Sequence, residues 1–383
     1  MPYILVIVLL CILSLYEFLD IKTVGILVRK NTKLWFYLIC AVSLWLIAAL
    51  RFETGRDWQG YVQFFEIWKD SNETGGYELG FVLLNRIFGL LGADFYFLQF
   101  CISSFCALIV FRNFFKNSDF PAFTLLLYVF MFFFSTDMAQ TRQHIAMAIL
   151  ICGNCFIKDR KLFLWILMIA LAMMFHVSAI MAFPLYFTYK IRIDKKIAWV
   201  LFFVYLIVYL FGLAFVLGML NFVVKLPFVP SRIALIGGVY LASKTYGLQT
   251  QFGSGLGFLL NMFFIAFIIF MFYINKNNKN NKNNFHFVNF FIALYFLAFG
   301  RNFDQFSRIA NYYLICGNGL CAYNFLIKGK TFFKKIDFLR YFILFIFLAF
   351  NVYTFYKTWY AENLITHASY NSDYLPYRSF LFK

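Results

Sequence analysis

The sequence has little charge and almost no histidine. Only 13% of its 383 residues are charged and four are histidines, whereas 63% are hydrophobic. Apolar runs close to the roughly 20 residues that cross a bilayer recur along the chain. No stretch is long and polar enough for a separate soluble domain. The sequence therefore predicts an all-α, polytopic transmembrane bundle of about 10–12 helices, with 1–383 as one integral membrane domain.

Motifs of metal and nucleotide chemistry are absent from the sequence. It contains no P-loop, H-E-x-x-H, G-x-S-x-G or EF-hand pattern, and no predicted outer loop carries D-x-D. The histidines are scattered and the eight cysteines lie in apolar segments. We expect no metal and no cofactor, and metal-dependent glycosyl transfer is disfavoured. Nucleic acid is not an expected partner.

Basic segments set the predicted topology, because loops rich in lysine and arginine stay in the cytoplasm. These segments are 22–33, 158–161, 190–196, 275–284 and 328–335. The last but one is an Asn/Lys-rich cytoplasmic linker. Residues 51–94 then form an outer loop with an interfacial or re-entrant helix at 79–92, and 220–256 form a second, long outer loop. A continuous helix is predicted over 309–326, and two short helices hinged near His176 over 162–189.

The predicted outer segments hold more arginine than lysine, and the predicted inner segments hold mostly lysine. The positive-inside rule does not distinguish the two residues. Arginine grips phosphate or carboxylate in two places, whereas lysine is a point charge. The outer face is therefore predicted to hold an anion. The alternative is a rim of interfacial arginines that reach towards lipid headgroups.

The stretch "RFETGRDWQGY", 51–61, places four charges within seven residues directly after an apolar helix. Arg51, Arg56 and Asp57 are candidates for a site, whereas Glu53 is expected to pair with a charge in the same stretch. The aromatic residues that follow can lie against a sugar ring or mark the membrane interface.

A second stretch, "TDMAQTRQHIAMAI" at 136–149, predicts a helix beginning near Ala139 and capped by Thr136 or Asp137. Arg142 and Gln143 then lie at membrane depth, where an ionisable group suggests function. The alternative is a salt bridge between Arg142 and Asp137.

Two further stretches carry candidate residues. "MMFHVSAI", 173–180, places His176 between two short helices, where it can act as a general base or simply bond a backbone carbonyl. In "GRNFDQFSRIANYY", 300–313, helical spacing puts Arg301, Asp304, Arg308 and Tyr312 on one face. Arg232, in the long outer loop, is an additional cation.

Four of these pieces, in this order, resemble the EpsG family of Wzy-type polysaccharide polymerases. They are "LRFETGRDWQGY" (50–61), "TRQHIAMAI" (141–149), "FHVSAI" (175–180) and "SRIANYY" (307–313). The resemblance implies a multi-pass enzyme of the bacterial inner membrane with its active site on the periplasmic face. A GT-C-like bundle is one form that such an enzyme can take. Such enzymes join undecaprenyl-pyrophosphate-linked oligosaccharide repeat units into O-antigen, capsule or exopolysaccharide. A flippase and a Wzz-type chain-length regulator are the partners that it suggests.

Residue roles follow from the resemblance and the chemistry together. Asp57 or His176 is the expected base, and Arg51, Arg142, Arg301 and Arg308 are the expected pyrophosphate clamp. Gln143, Arg56, Arg232, Asp304 and Tyr312 are further substrate-binding candidates. Rival functions are an O-antigen ligase, a lipid-linked oligosaccharide flippase and a sugar O-acetyltransferase.

Overall fold

The computed structural model of the protein describes residues 2–18, 30–55, 57–69, 77–224, 255–274, 280–300, 304–327, 334–356 and 377–382. Over these ranges the chain is helical and contains no strand, only an isolated bridge between Arg51 and Ser379. The helical prediction is confirmed for this part of the chain. Of the predicted loop 220–256, residues 225–254 lie outside the described residues.

Fifteen α-helices are numbered here along the described part of the chain. They are α1 Pro2–Phe18, α2 Lys30–Ala49, α3 Trp58–Trp68, α4 Leu79–Leu90, α5 Phe95–Asn117, α6 Pro121–Thr136, α7 Thr141–Cys152, α8 Asn154–Lys158, α9 Leu162–Met173, α10 Leu185–Thr188, α11 Lys195–Val224, α12 Leu256–Ile274, α13 Asn281–Gly300, α14 Asp304–Asn311 and α15 Lys334–Tyr356. Val129–Phe133 inside α6 and Tyr312–Cys316 after α14 are wider π-helical turns. Val177–Ala182, Gly319–Leu326 and Phe380–Phe382 are 3-10 helices.

Three of the described helices are long and apolar enough to cross a membrane by length and composition: Phe95–Asn117, Leu256–Ile274 and Leu339–Tyr356. Six shorter apolar helices accompany them. The chain is a membrane protein, and a polytopic bundle agrees with these helices. The number of crossings stays a prediction.

The contacts within the chain divide it into two compact units, Met1–Tyr186 with Leu326–Lys383, and Phe187–Phe325. In the first unit the Glu17 carboxylate, at the end of α1, accepts hydrogen bonds from the Ala122 and Phe123 amides at 3.0 and 3.1 Å. A carboxylate is stabilised at a helix N-terminus, where amides lack partners and the helix dipole is positive. This contact ties α1 to α6.

In the second unit aromatic side chains pack the helices together. Phe272 of α12 stacks on Phe287 of α13 with 4.0 Å between ring centroids. The Tyr295 hydroxyl of α13 donates to the Leu201 carbonyl of α11 at 2.6 Å. Helix α13 thus contacts both neighbours, and α14 packs against it in turn.

Two predicted boundaries differ from the structure. The outer loop 51–94 contains α3 as well as the helix predicted near 79–92. Helix α3 buries residues spaced three or four apart, which is the period of one helical face: Trp58, Tyr61, Phe65 and Trp68. The Asn/Lys linker ends earlier than predicted, because Asn280 accepts the Asn283 amide at 2.7 Å through its side chain and caps α13 at Asn281. Residues 275–279 lie outside the described part.

The prediction of one continuous helix over 309–326 is wrong. The chain turns at Gly317 and Asn318, and the Asn318 φ of 54° is left-handed. The Asn289 side-chain amide of α13 donates to the Gly317 carbonyl at 3.0 Å, and a Cβ on Gly317 would lie 2.8 Å from that amide nitrogen. Close approach of α13 therefore interrupts the helix.

Candidate functional site

Arg51 is a buried anchor rather than an exposed cation. Its side chain is 2% exposed, and Nη1 donates to the carbonyls of Ala48 at 2.9 Å and Asp137 at 2.8 Å. Gly55 adopts φ +110°, and a Cβ there would lie 2.1 Å from the Met138 carbonyl oxygen. The segment after α2 is therefore held tightly against the turn between α6 and α7.

The prediction that Glu53 pairs within its own stretch is wrong, because its carboxylate lies 2.7 Å from Arg378 near the C-terminus. The reason is the bridge that brings residues 378–380 alongside: the Phe52 amide donates to the Arg378 carbonyl at 2.9 Å. Both charged side chains are about half exposed (57% for Arg378 and 42% for Glu53). Such a pair contributes little to stability.

Gln99 of α5 organises the same region, and sequence reasoning missed it. Its amide nitrogen donates to the carbonyls of Ala49 at 3.0 Å and Arg51 at 2.9 Å, and its oxygen accepts from Trp58 Nε1 at 3.0 Å. The side chain is buried, and its two amide hydrogens and its oxygen all bond to other segments, so Gln99 joins α5 to the end of α2 and to α3. A single polar residue inside an apolar helix is the signal that could have found it.

Asp137 and His144 form a buried polar layer beneath Arg51. The Asp137 carboxylate accepts from the Tyr128 hydroxyl at 2.5 Å and lies 3.8 Å from His144 Nδ1. Neither Thr136 nor Asp137 caps the following helix, which begins at Thr141 instead of near Ala139. The π-helical turn at the end of α6 shifts these residues into the core.

A cavity of about 20 Å³ lies in this layer, lined in part by Arg51, Gln99, Asp137 and His144. That volume holds roughly one water molecule, whereas substrate pockets usually measure some 300–1,000 Å³. Arg51 thus faces the protein interior in this structure and not a pocket that could hold a sugar diphosphate.

Arg142, at the start of α7, is accessible and has an unforeseen partner. Its Nη1 lies 2.5 Å from Glu78 Oε2, and the two side chains are 25% and 19% exposed. The guanidinium carbon lies 4.9 Å from the centroid of the Tyr77 ring. The alternative of a bridge from Arg142 to Asp137 is wrong, because Asp137 points into the buried layer. Gln143, next in the chain, is also buried.

Glu78 connects Arg142 with the segment that follows α9. Its second carboxylate oxygen accepts from the Val177 amide at 3.4 Å. Two residues further on, the Gly80 amide donates to the Met174 carbonyl at 2.8 Å, and a Cβ on Gly80 would lie 2.8 Å from that same oxygen. The start of α4 thus packs directly on the segment between α9 and the 3-10 helix Val177–Ala182.

The predicted pair of short helices hinged near His176 is confirmed: α9 ends at Met173, and the helical segment after the break begins as the 3-10 helix Val177–Ala182. The His176 ring is half-buried, and its Nδ1 lies 2.6 Å from the Ser178 hydroxyl. Because this segment contacts Glu78, the structure brings the predicted "FHVSAI" and "TRQHIAMAI" stretches to one place. We call Tyr61, Tyr77, Glu78, Arg142 and the Val177 amide the Arg142 cluster.

Tyr61 contributes to the Arg142 cluster from α3, and Asp57 lies beside it. Burial raises the pKa of the Tyr61 phenol; the Asp57 carboxylate acts in the same direction, and Arg142 opposes both. The phenol is therefore neutral near pH 7, and it lies close enough to Arg142 for the two groups to influence each other's protonation. Asp57 itself is exposed, directly before α3.

The remaining predicted site residues are in the second unit or outside the described residues. Arg308 is half-buried on α14, and Tyr312 is fully buried in the π-helical turn that follows. The Asp304 backbone starts α14, but its side chain is outside the described part. Arg56, Arg232 and Arg301 lie entirely outside the described residues.

These features define a class of protein: a multi-helix membrane protein whose first unit carries a partly exposed arginine, held by a carboxylate and two tyrosines at the edge of apolar helices. The EpsG family model matches residues 34–379, and the chain belongs to the EpsG family. Members of that family are Wzy-like polymerases, which gives the protein a broadly polysaccharide polymerase-like function. No curated protein and no solved structure matches the chain.

Proposed function

We propose that the protein joins undecaprenyl-pyrophosphate-linked oligosaccharide repeat units into O-antigen, capsule or exopolysaccharide. It would act as a metal-independent glycosyltransferase on the outer face of the bacterial inner membrane. Membership of the EpsG family supports polymerisation in general. The observation that carries the finer proposal is the accessible Arg142 guanidinium, fixed between Glu78 and two tyrosines.

Arg142 suits a diphosphate leaving group. Cleavage of the glycosyl–phosphate bond passes through an oxocarbenium-like state and leaves negative charge on the diphosphate. A guanidinium has five N–H donors in a rigid fork, and the bond to Glu78 occupies only part of that fork. A cation placed before the reaction stabilises the developing charge without reorganisation.

Glu78 fits a positioning role better than that of the base. Direct displacement inverts the anomeric centre, so the acceptor hydroxyl attacks from the face opposite the leaving group. A carboxylate 2.5 Å from the arginine that holds the leaving group is on the wrong side to deprotonate that hydroxyl. Glu78 instead orients Arg142, and Asp57 and His176 stay the proposed bases.

The other arginines receive different roles in this proposal. Arg51 positions the "RFETGRDWQGY" segment through backbone carbonyls, since its guanidinium is buried. For Arg308, Arg301 and Arg232 the proposed role stays diphosphate binding, and for Arg56 and Asp304 substrate binding. Gln143 and Tyr312 are buried, so their proposed role is to support the substrate-binding residues near them in the chain. A flippase that delivers repeat units and a Wzz-type regulator are the proposed partners.

The surface polysaccharide of a strain lacking the gene tests this function. Loss of the polymerase should leave surface molecules that carry a single repeat unit, because export and attachment continue. Complementation with the wild-type gene should restore long chains. Complete absence of the repeat unit from the surface would contradict the proposal and favour a ligase or flippase.

A further inference from the structure

An elongated apolar groove lies between α2 and α5 in the first unit. Its volume is about 630 Å³. Most of its lining is aliphatic or aromatic, from Leu34, Leu38, Ala41, Val42, Ala107, Leu108 and Phe115. Several of these side chains are exposed, among them Val42 at 45% and Leu108 at 68%. The groove is large enough for a lipid chain.

Three hydrogen bonds fix the register of the two helices. Gln99 Nε2 bonds the Ala49 carbonyl at 3.0 Å, Trp45 Nε1 bonds Ser104 Oγ at 2.9 Å, and the Tyr37 hydroxyl bonds the Phe111 carbonyl at 2.7 Å. The residue numbers on α2 fall from 49 to 37 while those of their partners on α5 rise from 99 to 111. The two helices therefore run antiparallel. The groove lies at the Tyr37 end of the pair, and the buried Arg51 region lies at the other end.

The length of the groove corresponds to one leaflet. It runs along α2 from Leu34 to Trp45, which is about 16 Å at a rise of roughly 1.5 Å per residue. The hydrocarbon core of a bilayer is about 30 Å thick, so a single leaflet contributes about half of that. The Trp45–Ser104 pair closes the groove at the end nearer Ala49.

One fixed charge lines the groove, and it is at the open end. Arg112 is exposed and lies beside Phe111, level with Tyr37. Among the described residues no carboxylate forms an ion pair with Arg112. At the closed end the polar groups satisfy each other, because Ser104 Oγ also donates to the Phe100 carbonyl at 2.6 Å. An amphiphile with one anionic head and an apolar chain of leaflet length complements this arrangement.

We propose that the groove binds one anionic glycerophospholipid, with its phosphate on Arg112 and an acyl chain along α2 and α5. Basic pockets between membrane helices recognise such headgroups. A lipid carrier that feeds the Arg142 cluster would place its phosphates at the Gln99 end of these helices, whereas the cation of the groove is at the opposite end. The site is thus separate from the proposed reaction, and the inference does not rest on the proposed function.

The test is lipid retention by the purified full-length chain in mild detergent. Mass spectrometry should find about one phosphatidylglycerol-class lipid per chain, and added phosphatidylglycerol should raise the thermal midpoint more than phosphatidylcholine does. Arg112→Ala should lower retention about tenfold or more, because a charge-assisted phosphate contact is lost. Lys158→Ala is the control: it removes an exposed cation on α8, which does not line the groove, and should retain wild-type lipid.

Val42→Trp fills the groove and leaves Arg112 intact, so it should also reduce retention. Each variant is compared as a monodisperse sample. The proposal is overturned if Arg112→Ala retains as much lipid as wild type, if wild type retains no defined lipid, or if the bound molecule is a polyprenyl phosphate. A second copy of the chain covering the groove, seen as a dimer mass, would overturn it as well.

Discussion

Arg142 and Glu78 lie 2.5 Å apart, although 64 residues separate them in the chain. The pair joins the start of α7 to the start of α4, and through the Val177 amide it also reaches the break after α9. Three helix ends thus converge on one ion pair. Because helix ends can be held rigidly by packed helices, this is a suitable place for a charge that must act in a fixed position.

Replacing Arg142 by alanine should nearly abolish polymerisation while leaving a folded protein in the membrane. Loss of one preorganised charge donor typically costs roughly 10²–10³-fold in rate. Cells carrying Arg142→Ala should therefore display single-repeat polysaccharide. The variant Arg142→Lys keeps a positive charge but loses the planar fork, so it should give short chains. The measurement is the length distribution of surface polysaccharide, with membrane levels checked by immunoblot.

A matched control comes from Lys69, which forms a 2.5 Å ion pair with Glu66 at the end of α3. Lys69→Ala removes a comparable ion pair outside the Arg142 cluster and should keep long chains. If Arg142→Ala also gave long chains at normal protein levels, the leaving-group role would be wrong.

Glu78→Gln should lower turnover mainly because Arg142 loses the carboxylate that holds its guanidinium in position. The effects of substituting two residues that serve one function do not add. The combined variant Glu78→Gln with Arg142→Ala should therefore be no slower than Arg142→Ala alone. Glu78→Asp should recover part of the activity, because the carboxylate is restored. The pH profile of polymerisation with lipid-linked repeat units in detergent should keep its wild-type shape in Glu78→Gln. A changed profile would mean that Glu78 is itself the base.

Asp57→Asn and His176→Ala distinguish the two proposed bases. Whichever variant retains wild-type turnover with lipid-linked repeat units is not the base. Ser178→Ala sharpens the comparison, since Ser178 holds His176 Nδ1 at 2.6 Å. If His176 is the base, loss of this bond should reduce turnover partially by letting the ring rotate. If Asp57 is the base, Ser178→Ala should behave as wild type.

Sequence reasoning identifies the cationic partner of the Arg142–Glu78 ion pair but not the anionic one. Arg142 stands out as a charge at membrane depth in an apolar helix. Glu78 looks like a charge at a helix start, and nothing local indicates which distant arginine it meets. The break at Gly317 escapes prediction for the same reason, because it depends on Asn289 of another helix. Helix α3, by contrast, is detectable from the spacing of its buried aromatic residues.

Gly55→Ala should destabilise the protein strongly and remove activity with it. At φ +110° an L-residue is strained by about 1–3 kcal/mol, and the new Cβ would lie 2.1 Å from the Met138 backbone oxygen, which cannot move aside like a flexible side chain. Gly92 is the matched control, since its φ is +70° but no atom lies within 4 Å of the place that a Cβ would take. Gly92→Ala should therefore cost only about 1 kcal/mol from the backbone. Thermal unfolding in detergent should show a clearly larger drop for Gly55→Ala. Equal midpoints would mean that the segment carrying Arg51 and Asp57 is not held against the α6–α7 turn, and the proposed positioning role of Arg51 would fail with it.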